Sequence, residues 1–266
     1  MAIVDDKYII ELERLRSELV DILKNKGVVV NNNNTLNELI PMINKLIETD
    51  GINKYLSGSI NEFINDNITT LRTYSFYADA TLEKVKCDNL ENLTSSFINC
   101  TSLKHIWFPK LTTILLIQTF QNSILENAIL PSLNRAGGDY FLLCNIKTLK
   151  RVITPLLERS ISGSCFSTNN CIEIVDGKYN AISANRLPQC KIFISRRTKI
   201  PTLSDVSFIP NIEEIYIAES LVEQLKSATN WSVYADKIKP LEGSKYENLE
   251  WYKNEQWYAE EMSVWT

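Results

Sequence analysis

Histidine is almost missing from this sequence: His105 is the single one in 266 residues. A serine or cysteine nucleophile therefore has one candidate imidazole base in the chain. No Gly-x-Ser-x-Gly turn and no phosphate-cradling glycine loop accompanies it. Glycine is also sparse, with eight residues, and the pair Gly137-Gly138 reads as a turn. These absences argue against an enzyme. Cationic excess is missing too: 28 basic residues stand against 32 acidic ones, for a net charge of −4. Without a broad positive field to collect phosphates, nucleic-acid binding is not expected. Long apolar runs are absent as well. Ile114-Leu115-Leu116-Ile117 falls far short of the roughly 20 residues that a membrane-spanning helix needs, so no membrane insertion is expected. The opening Met1-Ala2-Ile3-Val4-Asp5-Asp6-Lys7 lacks the basic lead and unbroken apolar stretch of a secretory signal. The expectation is synthesis in the cytoplasm without a signal peptide.

What the sequence does have is a repeat. Leu82-Glu83-Lys84-Val85-Lys86-Cys87 aligns with Leu103-Lys104-His105-Ile106-Trp107-Phe108, with Leu125-Glu126-Asn127-Ala128-Ile129-Leu130 and with Leu149-Lys150-Arg151-Val152-Ile153-Thr154. The pattern is L-x-x-φ-x-φ, where φ is apolar or small. Its starts step by 21, 22 and 24 residues, inside the range of leucine-rich repeats. A second leucine recurs at Leu90, Leu111 and Leu133, and an aromatic plug at Phe76, Phe97, Phe120 and Phe141. Each unit offers one short strand whose alternate residues point inward, then a turn and a return segment. No unit buries its apolar edge alone, so the units must stack and the ends must be covered. Pro109 and Pro131 directly follow strands, where a missing donor ends the ladder. The register weakens from Ser160 through Cys171-Ile172-Glu173-Ile174-Val175 and Lys191-Ile192-Phe193-Ile194, then recovers at Ile212-Glu213-Glu214-Ile215-Tyr216-Ile217. At least six strands in one sheet are expected, with unusual local structure between Ser160 and Ile200.

The six cysteines (Cys87, Cys100, Cys144, Cys165, Cys171, Cys190) form no Cys-x-x-Cys pair, and Cys87 shares a column with Phe108 and Leu130. They read as free, small hydrophobes of the core; disulfides and metal ligation are the alternatives. No metal and no cofactor is expected.

The spacing Phe97-x-x-Cys100-x-x-Leu103-x-x-Ile106-x-Phe108-Pro109 resembles the BspA-like class of bacterial leucine-rich repeats. Ile215 to Pro240, with Asn230-Trp231-Ser232-Val233-Tyr234-Ala235-Asp236-Lys237-Ile238-Lys239-Pro240, resembles the closing unit of that class. There Leu221, Leu225 and Ala228 share a helical face, and Trp231 and Tyr234 supply area to close the solenoid. Lys24-Asn25-Lys26-Gly27-Val28 followed by Thr35-Leu36-Asn37-Glu38-Leu39-Ile40-Pro41-Met42-Ile43 resembles the short helical module that opens many phage tail-associated proteins. The resemblance implies a virion component of a phage tail or related particle, made in the bacterial cytoplasm. Implied partners are other virion proteins and a host-surface receptor or glycan. A bacterial cell-surface or secreted BspA-like adhesin is the alternative.

Within the N-terminal segment, Tyr8, Leu12, Leu15, Leu19 and Ile22 are spaced 4, 3, 4 and 3, as in a heptad seam. Leu12, Leu15, Leu19 and Ile22 are thus a candidate surface for homo-oligomers, and packing against a second helix (Leu36, Leu39, Ile40, Ile43, Leu46, Ile47) is the equal alternative. Gly27 reads as the cap ending the first helix, and Thr35 with Glu38 as a capping box for the second. Pro41 predicts a kink or a late start.

The expected architecture is α/β: a leucine-rich-repeat solenoid of short parallel strands with irregular returns, preceded by a helical hairpin and closed by a helical cap. Its expected parts are a helical attachment or oligomerisation module over 1–50, a repeat domain with its cap over 51–240, and an aromatic-rich tail over 241–266. The tail's Trp251, Tyr252, Trp257, Tyr258 and Trp265 fold back on the cap or a neighbouring subunit, or else recognise sugar or a partner chain. Residues flanking the inward φ positions must face the other way. Lys84, Lys86, His105, Trp107, Asn127, Ile129, Arg151 and Ile153 are therefore expected to form an exposed binding face.

Overall fold

A computed structural model describes residues 6–25, 30–39, 42, 61–71, 75–115, 119–137, 146–161, 171–183, 187 and 189–265. The chain divides into two compact units, Met1–Ile60 and Asn61–Thr266.

In the first unit, helix α1 (Asp6–Asn25) packs on a second helical segment that begins at 36. Glu38 makes half of the anticipated capping box: its carboxylate accepts from the Thr35 backbone N–H at 2.7 Å, which holds its pKa below the usual carboxylate value. Val20, Leu23 and Leu39 form the buried centre, flanked by Leu19, Val30 and Met42. The face of α1 that meets the second segment thus centres on Val20 and Leu23 and takes only Leu19 from the heptad seam. Leu12, Leu15 and Ile22 stay 50%, 45% and 55% exposed. Gly27, Pro41 and most of the second helix's apolar positions lie outside the described residues.

The second unit is a stack of coils, each opening with a parallel strand. Its front strands are β1 (Glu62–Ile64), β3 (Lys84–Lys86), β5 (His105–Trp107), β7 (Asn127–Ile129), β9 (Arg151–Ile161), β10 (Ile174–Ile182), β11 (Ile192–Ser195), β13 (Glu214–Ile217) and β14 (Ile238–Pro240). In register run Phe63, Val85 and Ile106, and then Ala128, Val152, Val175, Phe193, Ile215 and Ile238, all buried. This is the inward φ column that the repeat predicts. The expected sheet of at least six strands is present, but the front ladder is divided. It consists of a three-stranded sheet, β1-β3-β5, and a seven-stranded one that begins at β7.

The return segments, expected to be irregular, contain a second ladder. β2 (Thr70–Leu71), β4 (Asn92–Leu93), β6 (Thr113–Ile114) and β8 (Arg135–Ala136) pair in parallel. Leu71, Leu93 and Ile114 point inward. Between the ladders stand the stacked plugs Phe76, Phe97 and Phe120, with ring centroids 5.2 and 5.5 Å apart. Phe141 lies outside the described residues. A left-handed residue turns the chain just after each plug: Ala78, Asn99 and Asn122 have φ of 58°, 64° and 62°. Asparagine tolerates that region better than most L-residues, and the Asn122 amide donates to the Asn99 side-chain oxygen at 2.7 Å.

Unusual structure does appear where the register weakens. β9 and β10 run on past the front sheet, and β12 (Thr202–Leu203) joins the far end of β10. Thr154 pairs with Gly177 but Glu158 pairs with Lys178, so Pro155, Leu156 and Leu157 bulge outside the ladder. Proline fits there because a bulge asks no donor of it. Gly177 is required by a close approach, because a Cβ would stand 2.4 Å from the Tyr179 ring. The Tyr179 hydroxyl in turn hydrogen-bonds the buried Thr154 hydroxyl at 2.8 Å.

At the far end, helix α2 (Val222–Lys226) and Trp231 close the stack. The Trp231 indole N–H donates to the Pro201 carbonyl at 2.7 Å, and its ring lies 6.0 Å from Phe193. Tyr234 donates to the Val206 carbonyl. On α2 the buried pair is Val222 and Leu225; Leu221 is only partly covered.

Candidate interaction surface

Alternation along the front strands fixes which side chains leave the core. Two outward rows result. One runs Glu62, Lys84, His105 and then Asn127, Arg151, Ile174; the other runs Ile64, Lys86, Trp107 and then Ile129, Ile153, Asp176, Ile194, Tyr216. The eight residues expected on this face do lie on it. Exposure, however, was expected of all eight, and it does not hold for Asn127, Ile129 and Ile153, which are 8%, 3% and 0% exposed. The cause is the C-terminal tail. It crosses the strands as a turn, a 3-10 helix (Trp251–Asn254) and helix α3 (Gln256–Ser263), and covers the face from β13 back to β5.

An apolar cluster holds the tail down: Ile129, Ile153, Ile194 and Tyr216 from the strands meet Tyr246, Trp251 and Tyr252 from the tail. Burying each large side chain contributes about 1.5–3 kcal/mol. The Tyr246 ring packs 4.7 Å from Tyr216 and 4.8 Å from Trp251. Burial pushes the Tyr216 phenol up to about 12, helped by the Glu214 carboxylate.

Polar anchors complete the strap. Asp176 is fully buried, and Arg196 grips it with two bonds of 2.8 and 2.9 Å. The Trp251 indole N–H donates to the same carboxylate at 2.8 Å. Arg196 also donates to the Tyr246 and Glu247 carbonyls at 2.7 and 2.9 Å. Burial raises the Asp176 carboxyl's pKa, against the pull of the guanidinium and the indole. Farther along, Glu261, 7% exposed, accepts from His105 Nδ1 and from the Asn127 amide, both at 2.8 Å. His105 lies on β5 and Asn127 on β7, the neighbours between which the ladder is broken. One carboxylate thus spans the gap that backbone hydrogen bonds leave open. Arg151 lies 4.6 Å over the Trp257 ring, and Lys84 donates to the Val264 carbonyl at 3.2 Å.

The strap stops there. Ile64, Lys86 and Trp107 form an adjacent outward row on β1, β3 and β5. Ile64 is 49% exposed, and the other two are half-buried. Beside Trp107 a cleft of about 490 Å³ opens between strand and tail, bordered by Pro109, Pro131, Leu249, Tyr252 and Lys253. At the strand entrances Glu83, Lys104, Glu126, Lys150, Glu173, Lys191 and Glu213 alternate in sign from coil to coil. Three neighbouring pairs close to 3.3, 2.9 and 3.7 Å. Exposed pairs of this kind add little stability, but like charges from a slipped coil would repel. Sequence reading missed this ladder although the alternation is present in it, and it missed Asp176, Arg196 and Glu261.

Among the described residues no group of three or more His, Cys, Asp or Glu side chains converges to hold a metal. No helix among them is long and apolar enough to cross a membrane. Cys87, Cys100 and Cys190 are free and buried, Cys171 is free and exposed, and Cys144 and Cys165 lie outside the described residues.

Stacked parallel strands, inward leucine and phenylalanine columns and a capped end make the second unit a leucine-rich-repeat solenoid. No family model and no curated protein matches the chain. Among solved structures, a leucine-rich repeat protein from Bacteroides ovatus is similar to 62% of this chain at 14% identity, with a TM-score of 0.40. The match spans 45% of that chain, less than half its length.

Proposed function

We propose that this chain is a non-catalytic structural and binding component of a phage or phage-like particle, associated with its tail, baseplate or fibre. The N-terminal helical unit attaches it, and the solenoid contacts a host-surface receptor or glycan, or another virion protein. Its residence is the virion, reached from the bacterial cytoplasm. Support for the particle role comes from the resemblance of the Lys24 to Ile43 segment to tail-associated modules. Support for a binding role comes from one observation above all: the strap fills most of the front face yet leaves Ile64 exposed and Lys86 and Trp107 only half-buried, with Trp107 at the strap's edge beside Tyr258. An apolar, a cationic and an aromatic side chain in one row suit a protein or glycan surface.

The contact surface in this reading is smaller than the eight-residue face anticipated from sequence. Arg151, Asn127, Ile129 and Ile153 serve the strap, so changing them would damage the fold and report nothing about binding. Lys86→Glu with Trp107→Ala should abolish attachment to host cells while leaving the unfolding midpoint near its original value. Intact attachment would remove this row. Immunogold imaging with an antibody to the chain tests the particle role, and failure to decorate any particle would sink it. The registry of Phe97, Cys100, Leu103, Ile106 and Pro109 favours the second reading, a BspA-like adhesin, for which label on bacterial surfaces in particle-free cultures is the expected result.

A further inference from the structure

We infer that the N-terminal helix α1 joins this chain to further copies of itself, through a parallel, in-register seam of Leu12, Leu15, Leu19 and Ile22. The hairpin takes a neighbouring side of the helix and shares only Leu19 with the seam. Val20 and Leu23 are turned into the hairpin core at 2% and 1% exposure, while Leu12, Leu15 and Ile22 stay about half exposed. Intramolecular packing therefore leaves three of the four stripe positions, Leu12, Leu15 and Ile22, open.

The charges beside the stripe choose its occupant. With Leu12 and Leu19 at a and Leu15 and Ile22 at d, Glu11 and Glu18 fall at g and Arg16 falls at e. In a parallel pair, g of one helix faces the following e of the next, which sets Glu11 against a second copy's Arg16. An antiparallel pair would instead bring the acidic g rows toward one another. Arg16 is also held in place beside the stripe, because its Nη1 donates to the Asn32 and Asn34 carbonyls of the hairpin loop at 2.5 and 3.1 Å. The hairpin thereby fixes a cation on one flank, while Arg14 of the same helix holds Glu11 and Glu18 on the other, so that a second copy's Arg16 must share Glu11 with Arg14. Leucine at both a positions, with isoleucine at one d, disfavours two-stranded packing and favours three or four copies. Four stripe positions are few for a coiled coil, so association should be concentration-dependent.

This inference does not rest on the particle reading, since it concerns the purified chain in solution. Sedimentation velocity on the full chain should show monomers passing to a three- or four-copy species into the high-micromolar range. Leu12→Asp with Ile22→Asp, at positions exposed in the single chain, should weaken association by about 100-fold or more without changing the solenoid's unfolding. In a Cys171→Ser background, Leu15→Cys should form a 15–15 disulfide under mild oxidation, which an in-register parallel seam permits. A wild-type chain that stays monomeric, an oligomer that survives the double substitution, or cross-linking of Leu12→Cys to Ile22→Cys in place of 15–15 each overturns the inference.

Discussion

Asp176 and Arg196 form a doubly hydrogen-bonded ion pair that is almost wholly buried, with side chains 0% and 5% exposed. It sits at the point where the tail crosses from β13 toward β10, and the same guanidinium reaches the tail's carbonyls. Removing one partner leaves an uncompensated charge in the interior, which costs about 3–5 kcal/mol. Arg196→Met should therefore lower the unfolding free energy by about that much in urea titrations. Asp176→Leu combined with Arg196→Met should recover a large part of the loss, as apolar replacements of buried pairs do. An Arg196→Met chain as stable as the original would mean that the clamp contributes nothing.

Glu261 offers a more local test. Its substitution by alanine leaves the Asn127 amide buried without its acceptor, at a cost of about 1–3 kcal/mol. Because α3 contributes few other polar anchors, the loss should appear first as faster hydrogen exchange at 256–265, ahead of any change in β9 and β10. Glu261→Gln keeps one acceptor oxygen and should show a smaller effect. Equal protection in all three chains would remove the carboxylate as a latch.

The left-handed column predicts stabilisation and destabilisation in one experiment. Ala78 holds a conformation that costs an L-residue roughly 1–2 kcal/mol, whereas Asn99 and Asn122 occupy the equivalent place with a residue that tolerates it. Ala78→Gly should raise the melting temperature by a few degrees. Asn122→Val should lower it by more, because a β-branched side chain suits φ of 62° poorly and the bond to Asn99 is lost as well. Calorimetry on both variants checks the ordering.

These residues also mark where the sequence was legible. Inward leucines and phenylalanines recur at fixed spacing because every coil meets the same neighbour, so Leu82, Leu103, Phe97 and Phe120 announce themselves. The cap is readable for a related reason: Trp231 and Tyr234 bring more apolar area than any surface position needs. The strap has no period, and its anchors Asp176, Arg196 and Trp251 are separated by 20 and 75 positions from Asp176, so no window of sequence contains them. Ile129 and Ile153 were informative in hindsight. Apolar residues at outward positions, in a row where other coils carry Lys86 and Trp107, mark a covered face. Pro155 stands in the same column as Pro109 and Pro131, which end their strands, yet it enters a bulge and the strand continues. On α1 the heptad stripe was legible, but two apolar stripes compete there and only packing reveals which one the hairpin takes.

Thiol chemistry gives the last prediction. Burial pushes the Cys87, Cys100 and Cys190 thiols up to about 12, so near pH 8 almost none of each is the reactive thiolate. Raised thiol pKa values and burial act in the same direction, since reagent cannot reach a side chain that is 0% exposed. Cys171 is exposed and open to reagent. Brief treatment of the native chain with iodoacetamide at pH 8 should therefore modify Cys171 and spare these three, as read by peptide mass spectrometry. In urea the three buried thiols should react together, in step with the cooperative loss of the solenoid. Because Cys87 and Cys100 report the early coils and Cys190 a later one, earlier labelling of Cys190 alone would show that the stack unfolds in parts and would contradict a single cooperative unit.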